Sequence, residues 1–254
     1  DLNEIIQYIT DDYRQIILAP HKRMDIIVGS LLMTGSASVK NKDNAEGVEL
    51  LDITLPFHTV TPTSSDAIDS NSKLVFIKYL QEMIHALRPQ YGTFEKMVMT
   101  RETFNKYIIG SSEFGDTFKM ILGQNQFYVA GGLITSQMAS QVFSGIGLPN
   151  IEIKEDYVED QDGTNKQIYA DDRITLLRSD NLGWMRHHTP YEATDPVQGR
   201  TYNPVGQDNG QMLVSNYRDK NGRYMEYTAE WIPQFVAPNK IVNFNLATLK
   251  AALE

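Results

Sequence analysis

The stretch that decides the fold is residues 2–35, LNEIIQYITDDYRQIILAPHKRMDIIVGSLLMTG. Leu2, Ile5, Ile6, Ile9, Tyr13, Ile16 and Ile17 recur at three- and four-residue steps, which sets them on one face of a helix. Met24, Ile27, Val28, Leu31 and Leu32 repeat the pattern beyond Pro20. Proline lacks a backbone N–H and its ring meets the preceding turn, so the sequence predicts a kink or break at Ala19-Pro20. Residues 2–19 alone would make a helix about 27 Å long at 1.5 Å per residue. Gly35 is the predicted stop. So long a stripe has to be covered by later segments. The expected partner is a second amphipathic helix carrying Phe76, Leu80, Met83, Ile84 and Leu87, closed by Pro89 and Gly92.

The remaining chain divides by texture. Residues 36–44 are polar, and Val48, Leu50, Ile53 and Leu55 predict extended structure ending at Pro56. Residues 57–72 have a loop composition. Lys96-Met97-Val98-Met99 reads as a short buried strand. Thr100 then caps a short helix, with Glu102 in its first turn and Phe104, Tyr107 and Ile108 along it. Residues 114–122 and 136–143 predict further helices. Between them, 126–130 is extended and Gly131-Gly132 breaks it.

From Ile151 onward, strands and acidic loops replace helices. Ile151 and Ile153, residues 167–170, 173–178, 182–188, 212–217, 223–236 and 241–244 are the predicted extended segments. Residues 189–210, with Pro190, Pro196 and Pro204, read as an exposed loop. Residues 219–222 form a hairpin turn whose Asn221-Gly222 pair suits positive φ. Residues 246–253 predict a short terminal helix. The fold class is α+β, with no internal repeat.

Composition narrows the function. The chain has 254 residues, no cysteine and a formal net charge of −9. Without cysteine there are no disulfides, thiolate metal sites or cysteine nucleophiles. The acidic balance disfavours a dedicated grip on DNA or RNA, because nonspecific affinity comes from Lys and Arg on phosphates. No apolar run is long enough to span a bilayer, and no basic n-region precedes an apolar segment. A start at Asp1 rather than methionine is expected of a processed or trimmed product.

Motifs of chemistry are scarce. The five histidines, His21, His58, His85, His187 and His188, have no metal-protease spacing. On a strand, His187 and His188 would face opposite ways. Glu152, Glu155, Asp156, Glu159, Asp160 and Asp162 form the densest acidic cluster, a candidate for divalent-cation or glycoside chemistry. Its spacing fits no calcium loop, so a solvated charged face is the simpler reading. Gly145-Ile146-Gly147 lacks the third glycine of a dinucleotide fingerprint, and no nucleophile elbow occurs. Trp184, Tyr191, Tyr202 and Trp231 read as packing residues rather than base-stacking platforms. No residue is assigned a catalytic, cofactor or metal role.

The order of these segments resembles the major capsid proteins of tailed bacteriophages, the HK97-type fold. The opening helix ending Leu31-Leu32-Met33-Thr34-Gly35 looks like that family's long spine helix. Residues 73–87 followed by Glu95-Lys96-Met97-Val98-Met99-Thr100-Arg101-Glu102-Thr103-Phe104 look like its second helix, strand and helix start. In this chain Thr100 and Phe104 replace the usual proline or serine and tryptophan. Gly147-Leu148-Pro149 with Ile151-Glu152-Ile153 is similar to the phrase entering the axial domain, and Arg173-Ile174-Thr175-Leu176-Leu177 to the strand after it. Trp231-Ile232-Pro233 and Ala237-Pro238-Asn239, within residues 227–244, look like the closing strands.

The resemblance implies a non-enzymatic shell subunit without cofactors. Its peripheral domain would be residues 1–136 plus 211–254, and its axial domain an insertion at 137–210. It would assemble with its own copies into pentamers and hexamers around double-stranded DNA, held without sequence-specific contact and without a membrane. Scaffolding, portal or decoration proteins are further candidate partners. Its expected location is the virion, after assembly in the bacterial cytoplasm. The resemblance implies that the family's N-terminal arm and extended loop would precede Asp1, so neither is expected within these residues. Some relatives form a lysine–asparagine crosslink between subunits; the asparagine position corresponds to Gln211, so none is expected. Two other readings compete. One is an encapsulin-type shell of the same fold. The other is a metal- or carbohydrate-binding enzyme using the 152–162 carboxylates.

Overall fold

The computed structural model describes residues 2–40, 49–122, 134–159, 164–205 and 212–249. Helix α1, Leu2–Thr34, runs unbroken through Pro20. The predicted break at Ala19-Pro20 does not occur. Proline in a helix interior costs about 3 kcal/mol, and Pro20 is buried, so packing there offsets the lost hydrogen bond. The first part of the apolar stripe, up to Tyr13 and again at Ile16, lies outside the described side chains. Gly35 ends the helix as expected. It takes φ +74, and its N–H donates to the Leu31 carbonyl at 2.8 Å, a left-handed cap.

Beyond the cap, β1 (Ser36–Lys40) pairs antiparallel with β2 (Glu49–Thr54), from Ser36↔Thr54 to Lys40↔Glu49. The polar composition of β1 hid this strand, whose pairing uses the backbone. Strand β3 (His58–Val60) and helix α2 (Ser64–Ala67) replace the loop expected at 57–72. Asp66 fixes α2 by accepting from the Thr63 N–H at 2.7 Å and its hydroxyl at 2.6 Å.

Two compact units divide the chain. The larger is residues 27–182 with 237–254, and the smaller is 1–26 with 183–236. In the larger unit, α3 (Phe76–Tyr91) continues past Pro89, and β4 (Lys96–Met99) follows it. Next come α4 (Arg101–Thr103), a π-helical turn at Phe104–Ile109, α5 (Phe114–Leu122) and α6 (Ser136–Gly145). The extended segment expected at 126–130 and its glycine break lie outside the described residues. Strands β5 (Asn150–Ile153), β6 (Tyr157–Glu159), β7 (Asn165–Gln167) and β8 (Arg173–Leu177) come next. β7 lies slightly upstream of the predicted 167–170; Ile168, just past its end, is buried and its N–H donates to the Asp156 carbonyl at 2.9 Å. In the smaller unit are β9 (Gly183–His188), β10 (Thr201–Val205), β11 (Met212–Arg218), β12 (Arg223–Thr228) and β13 (Glu230–Phe235). β14 (Val242–Asn245) returns to the larger unit. Residues 247–249 are helical, and the rest of the predicted terminal helix is outside the described residues.

The larger unit is organised on a five-stranded mixed sheet of order β3-β14-β8-β4-β5. β4 and β5 are parallel, so a crossover must join them, and the helices between residues 101 and 145 supply it. Because side chains alternate, the sheet has two distinct faces. Met97, Met99, Ile151, Ile174, Leu176, Val242 and Phe244 point into the main core with Phe76, Ile77, Leu80, Ile84 and Leu87 of α3. Val98, Thr175, Leu177 and Asn243 occupy the other face and are also buried.

The end of α1 reaches that second face, where Thr175 Oγ1 donates to the Leu32 carbonyl at 2.8 Å and Asn243 donates to the Met33 carbonyl. The α1–α3 pairing expected from sequence is therefore corrected for this part of α1: the sheet lies between them. A division at residue 136 would also cut through this sheet, since β5 and β8 hydrogen-bond to β4 and β14.

The smaller unit carries two antiparallel sheets. One has order β10-β11-β12, and the other is the pair β13-β9. The predicted 223–236 strand is two strands in different sheets. Likewise the 189–210 loop contains β10. At residues 219–222 the turn differs from expectation. Neither Asn221 nor Gly222 has positive φ; the Asp219 N–H donates to the Gly222 carbonyl at 3.0 Å across a four-residue loop. Four-residue loops are most often built around a type I turn, whose two central residues have negative φ.

Candidate functional site

An open cleft of about 560 Å³ lies in the larger unit, lined by Arg101, Glu102, Lys106, Glu155, Tyr157 and Asp171 among others. Its floor is set by the start of α4. The Thr100 hydroxyl accepts from the Thr103 N–H at 3.3 Å and donates to the Asp171 carboxylate. Asp172, at φ +55, donates its N–H to the Thr103 hydroxyl at 2.9 Å, and its carboxylate accepts from the Tyr107 hydroxyl at 2.7 Å. Asp is one of the few residues that tolerate this backbone region. These bonds fasten the 171–172 turn to the helix start.

The cleft's charges answer one another. Arg101 stands 3.5 Å from Glu155, and Asp171 also accepts from Gln167 at 3.1 Å. Just outside, Glu152 contacts Lys154 at 2.8 Å and Lys96 at 3.0 Å. Hydrogen bonding to Lys154 holds the Glu152 carboxyl below its ordinary range, against an opposing effect of burial. Lys96 is raised, first by Asp180 and then by Glu152. Among the described residues, no group of three or more His, Asp or Glu side chains is arranged to hold a metal. Asp160 and Asp162 lie outside the described residues. The cleft is a set of charge pairs that join loops.

The histidines are dispersed. His21 packs against Trp231 with ring centroids 4.8 Å apart, and His58 stacks on Tyr91 at 5.0 Å. His85 is exposed. On β9, His187 and His188 do face opposite ways, opposite Trp231 and Glu230 respectively; His188 Nδ1 lies 3.0 Å from Glu230.

Two of the aromatic residues read as packing are surface residues. Trp184 is 54% exposed and Tyr191 67%. On the β9–β13 ribbon, Trp184, Arg186 and His188 share a face with Glu230, Ile232 and Gln234, all of them exposed. Arg186 lies over the Trp184 ring at 5.7 Å and donates to Gln234 at 2.6 Å, so the face is ordered. Sequence reasoning missed it. The signal was present in the alternation of Trp184-Met185-Arg186 and Trp231-Ile232-Pro233, where apolar residues fall on both faces of a two-stranded ribbon that cannot bury both. What the geometry offers is an exposed face on which Trp184 and Ile232 sit among the polar side chains of Arg186, His188, Glu230 and Gln234.

These elements define a mixed α+β fold. The same fold occurs in a protein of an Escherichia coli CFT073 prophage, provisionally assigned as its capsid protein. The two are 16% identical, over 95% of this chain and 67% of that one, with a TM-score of 0.59. This chain thus spans about two thirds of the prophage protein's length. A phage-related protein from Bordetella bronchiseptica RB50 is more distant, at 14% identity over 76% of this chain and 56% of that one, with a TM-score of 0.41. No protein-family model matches the sequence, and no curated protein matches it.

Proposed function

We propose that this chain is a structural, non-enzymatic subunit of a tailed-bacteriophage or prophage capsid of the HK97 type. In this reading it assembles with its own copies into pentamers and hexamers that enclose double-stranded DNA in the virion. The observation that carries the proposal is the likeness, over 95% of the chain, to a prophage protein provisionally assigned as a capsid protein. Exposed Trp184, Tyr191 and Ile232, and the β9 and β13 edges that no described strand pairs, suit burial against neighbouring subunits in a closed ring. A net charge of −9 suits a wall that contains DNA without gripping it. Among the described residues no helix is long and apolar enough to cross a membrane.

Assembly in the host cytoplasm, and contact with scaffolding, portal or decoration proteins, belong to the same proposal. So do the peripheral and axial roles of 1–136 plus 211–254 and of 137–210, with one revision. β5 and β8 stay with the larger unit, whose sheet they complete. Sedimentation velocity of the full-length protein across a concentration series tests the reading. Pentamer- and hexamer-sized species that grow with concentration support it, and a monomer throughout contradicts it.

A further inference from the structure

The tip of the β11–β12 hairpin carries cations that no described residue pairs with. The register ends with Arg218 directly opposite Arg223, and Lys220 sits in the turn between them. All three are exposed, and none forms an ion pair with a described residue. The one carboxylate there, Asp219, is committed to the turn, accepting from the Asn221 and Gly222 N–H groups. Like charges opposite each other across two strands are destabilising. The base of the hairpin is by contrast locked. Tyr217 stacks on Tyr224 at 5.3 Å, Arg200 covers the Tyr217 ring at 4.1 Å, and Glu226 accepts from the Tyr217 hydroxyl at 2.6 Å and pairs with Arg200. A rigid stem thus presents a basic tip, in a chain whose net charge is −9.

The complementary surface is in the larger unit. Asp156 and Glu159 are exposed and form no ion pair with a described residue, and Tyr157 between them is 59% exposed. The cations nearby are engaged mainly with other carboxylates: Lys154 pairs with Glu152 at 2.8 Å and is only weakly attracted by Asp156, and Arg101 stands 3.5 Å from Glu155.

We propose that the Arg218–Lys220–Arg223 tip docks on the Asp156–Glu159 edge of a second copy of this chain. This rests on the self-assembly reading above and names the contact. A second copy is favoured over nucleic acid because the chain supplies the matching acidic edge itself, and its overall charge repels phosphate. Electrostatic complementarity of this kind sets register and association rate, and salt weakens it.

The test uses the full-length protein and two charge reversals, R218E/R223E and D156K/E159K. Each is expected to weaken self-association in sedimentation velocity by about tenfold or more at low ionic strength. Mixing the two reversed proteins is expected to restore it, because each then offers the other an opposite charge. R223E alone should leave the thermal midpoint equal or raised, since it turns a cross-strand repulsion into an attraction; a lowered midpoint would count against a free tip. R218Q/R223Q removes the charge without reversing it and should give an intermediate loss. The docking proposal fails if wild type associates and the reversed proteins associate equally well, or if mixing restores nothing. It also fails if R218E/R223E loses binding to duplex DNA while its self-association is intact. A wild type that stays monomeric overturns the self-assembly reading and this contact together.

Discussion

Asn243, on the last strand of the central sheet, donates its side-chain amide to the main-chain carbonyl of Met33, 210 residues upstream. Thr175 on the neighbouring strand does the same for Leu32, and the two side chains are joined by a 2.9 Å hydrogen bond. The last four carbonyls of a helix have no partner within it. A buried pair of polar side chains therefore satisfies the end of α1 and fixes it to the sheet.

Removing either partner should be costly, because it leaves buried carbonyls unpaired. Asn243→Leu and Thr175→Val are each expected to lower unfolding free energy by about 1–3 kcal/mol in urea titration. The double variant should lose less than the sum, since the two residues share a hydrogen bond. Additive losses would mean that they act independently.

Gly29 is a second fixed point. A Cβ there would collide with the Ile168 side chain and crowd its carbonyl. Glycine inside a helix normally costs about 0.5–1 kcal/mol relative to alanine, so its presence needs this close approach. Gly29→Val should therefore destabilise by about 1–3 kcal/mol through overpacking. Hydrogen exchange should quicken along residues 27–34 and 165–172.

Acid should loosen the loops around β4 and β5. The Glu152 carboxyl lies below its ordinary value near 4.5, first through Lys154 and also through Lys96. For a depressed carboxyl the stabilisation is present above the unfolded value and is lost as pH falls through the folded one. The thermal midpoint of Glu152→Gln should therefore fall less between pH 5 and about pH 3 than that of wild type. Equal slopes would show that the pair is fully screened.

The exposed ribbon gives a test that separates folding from assembly. Trp184→Ser with Ile232→Ser should leave the circular dichroism spectrum and thermal midpoint near those of wild type, because both side chains already face solvent. Self-association should weaken by at least tenfold if the ribbon is a contact surface, since buried aromatics dominate interface energies. A large fall in the midpoint would place these residues in the fold instead.

Much of the fold was legible in the residues. The helical span of α1, its Gly35 stop, the Thr100 cap, α3 and the alternation in β8 and β14 all follow from local chemistry and appear as expected. Long-range decisions were not legible. Thr175 and Asn243 look like surface strand residues until α1 is placed beside them, and they explain why a sheet face with polar positions is buried. Pro20 predicted a break from a local cost, and tertiary packing overrode it. The division of 223–236 into two strands depends on which neighbours each half finds, information that 14 residues of apolar alternation do not contain. The acidic run looked like one cluster, whereas the structure distributes Glu152 and Glu155 among Lys96, Lys154 and Arg101.

The most direct measurement is electron microscopy of the full-length protein expressed together with the products of its neighbouring genes. The account predicts closed shells of uniform diameter built from pentamers and hexamers. Full-length protein that yields only monomers would contradict it.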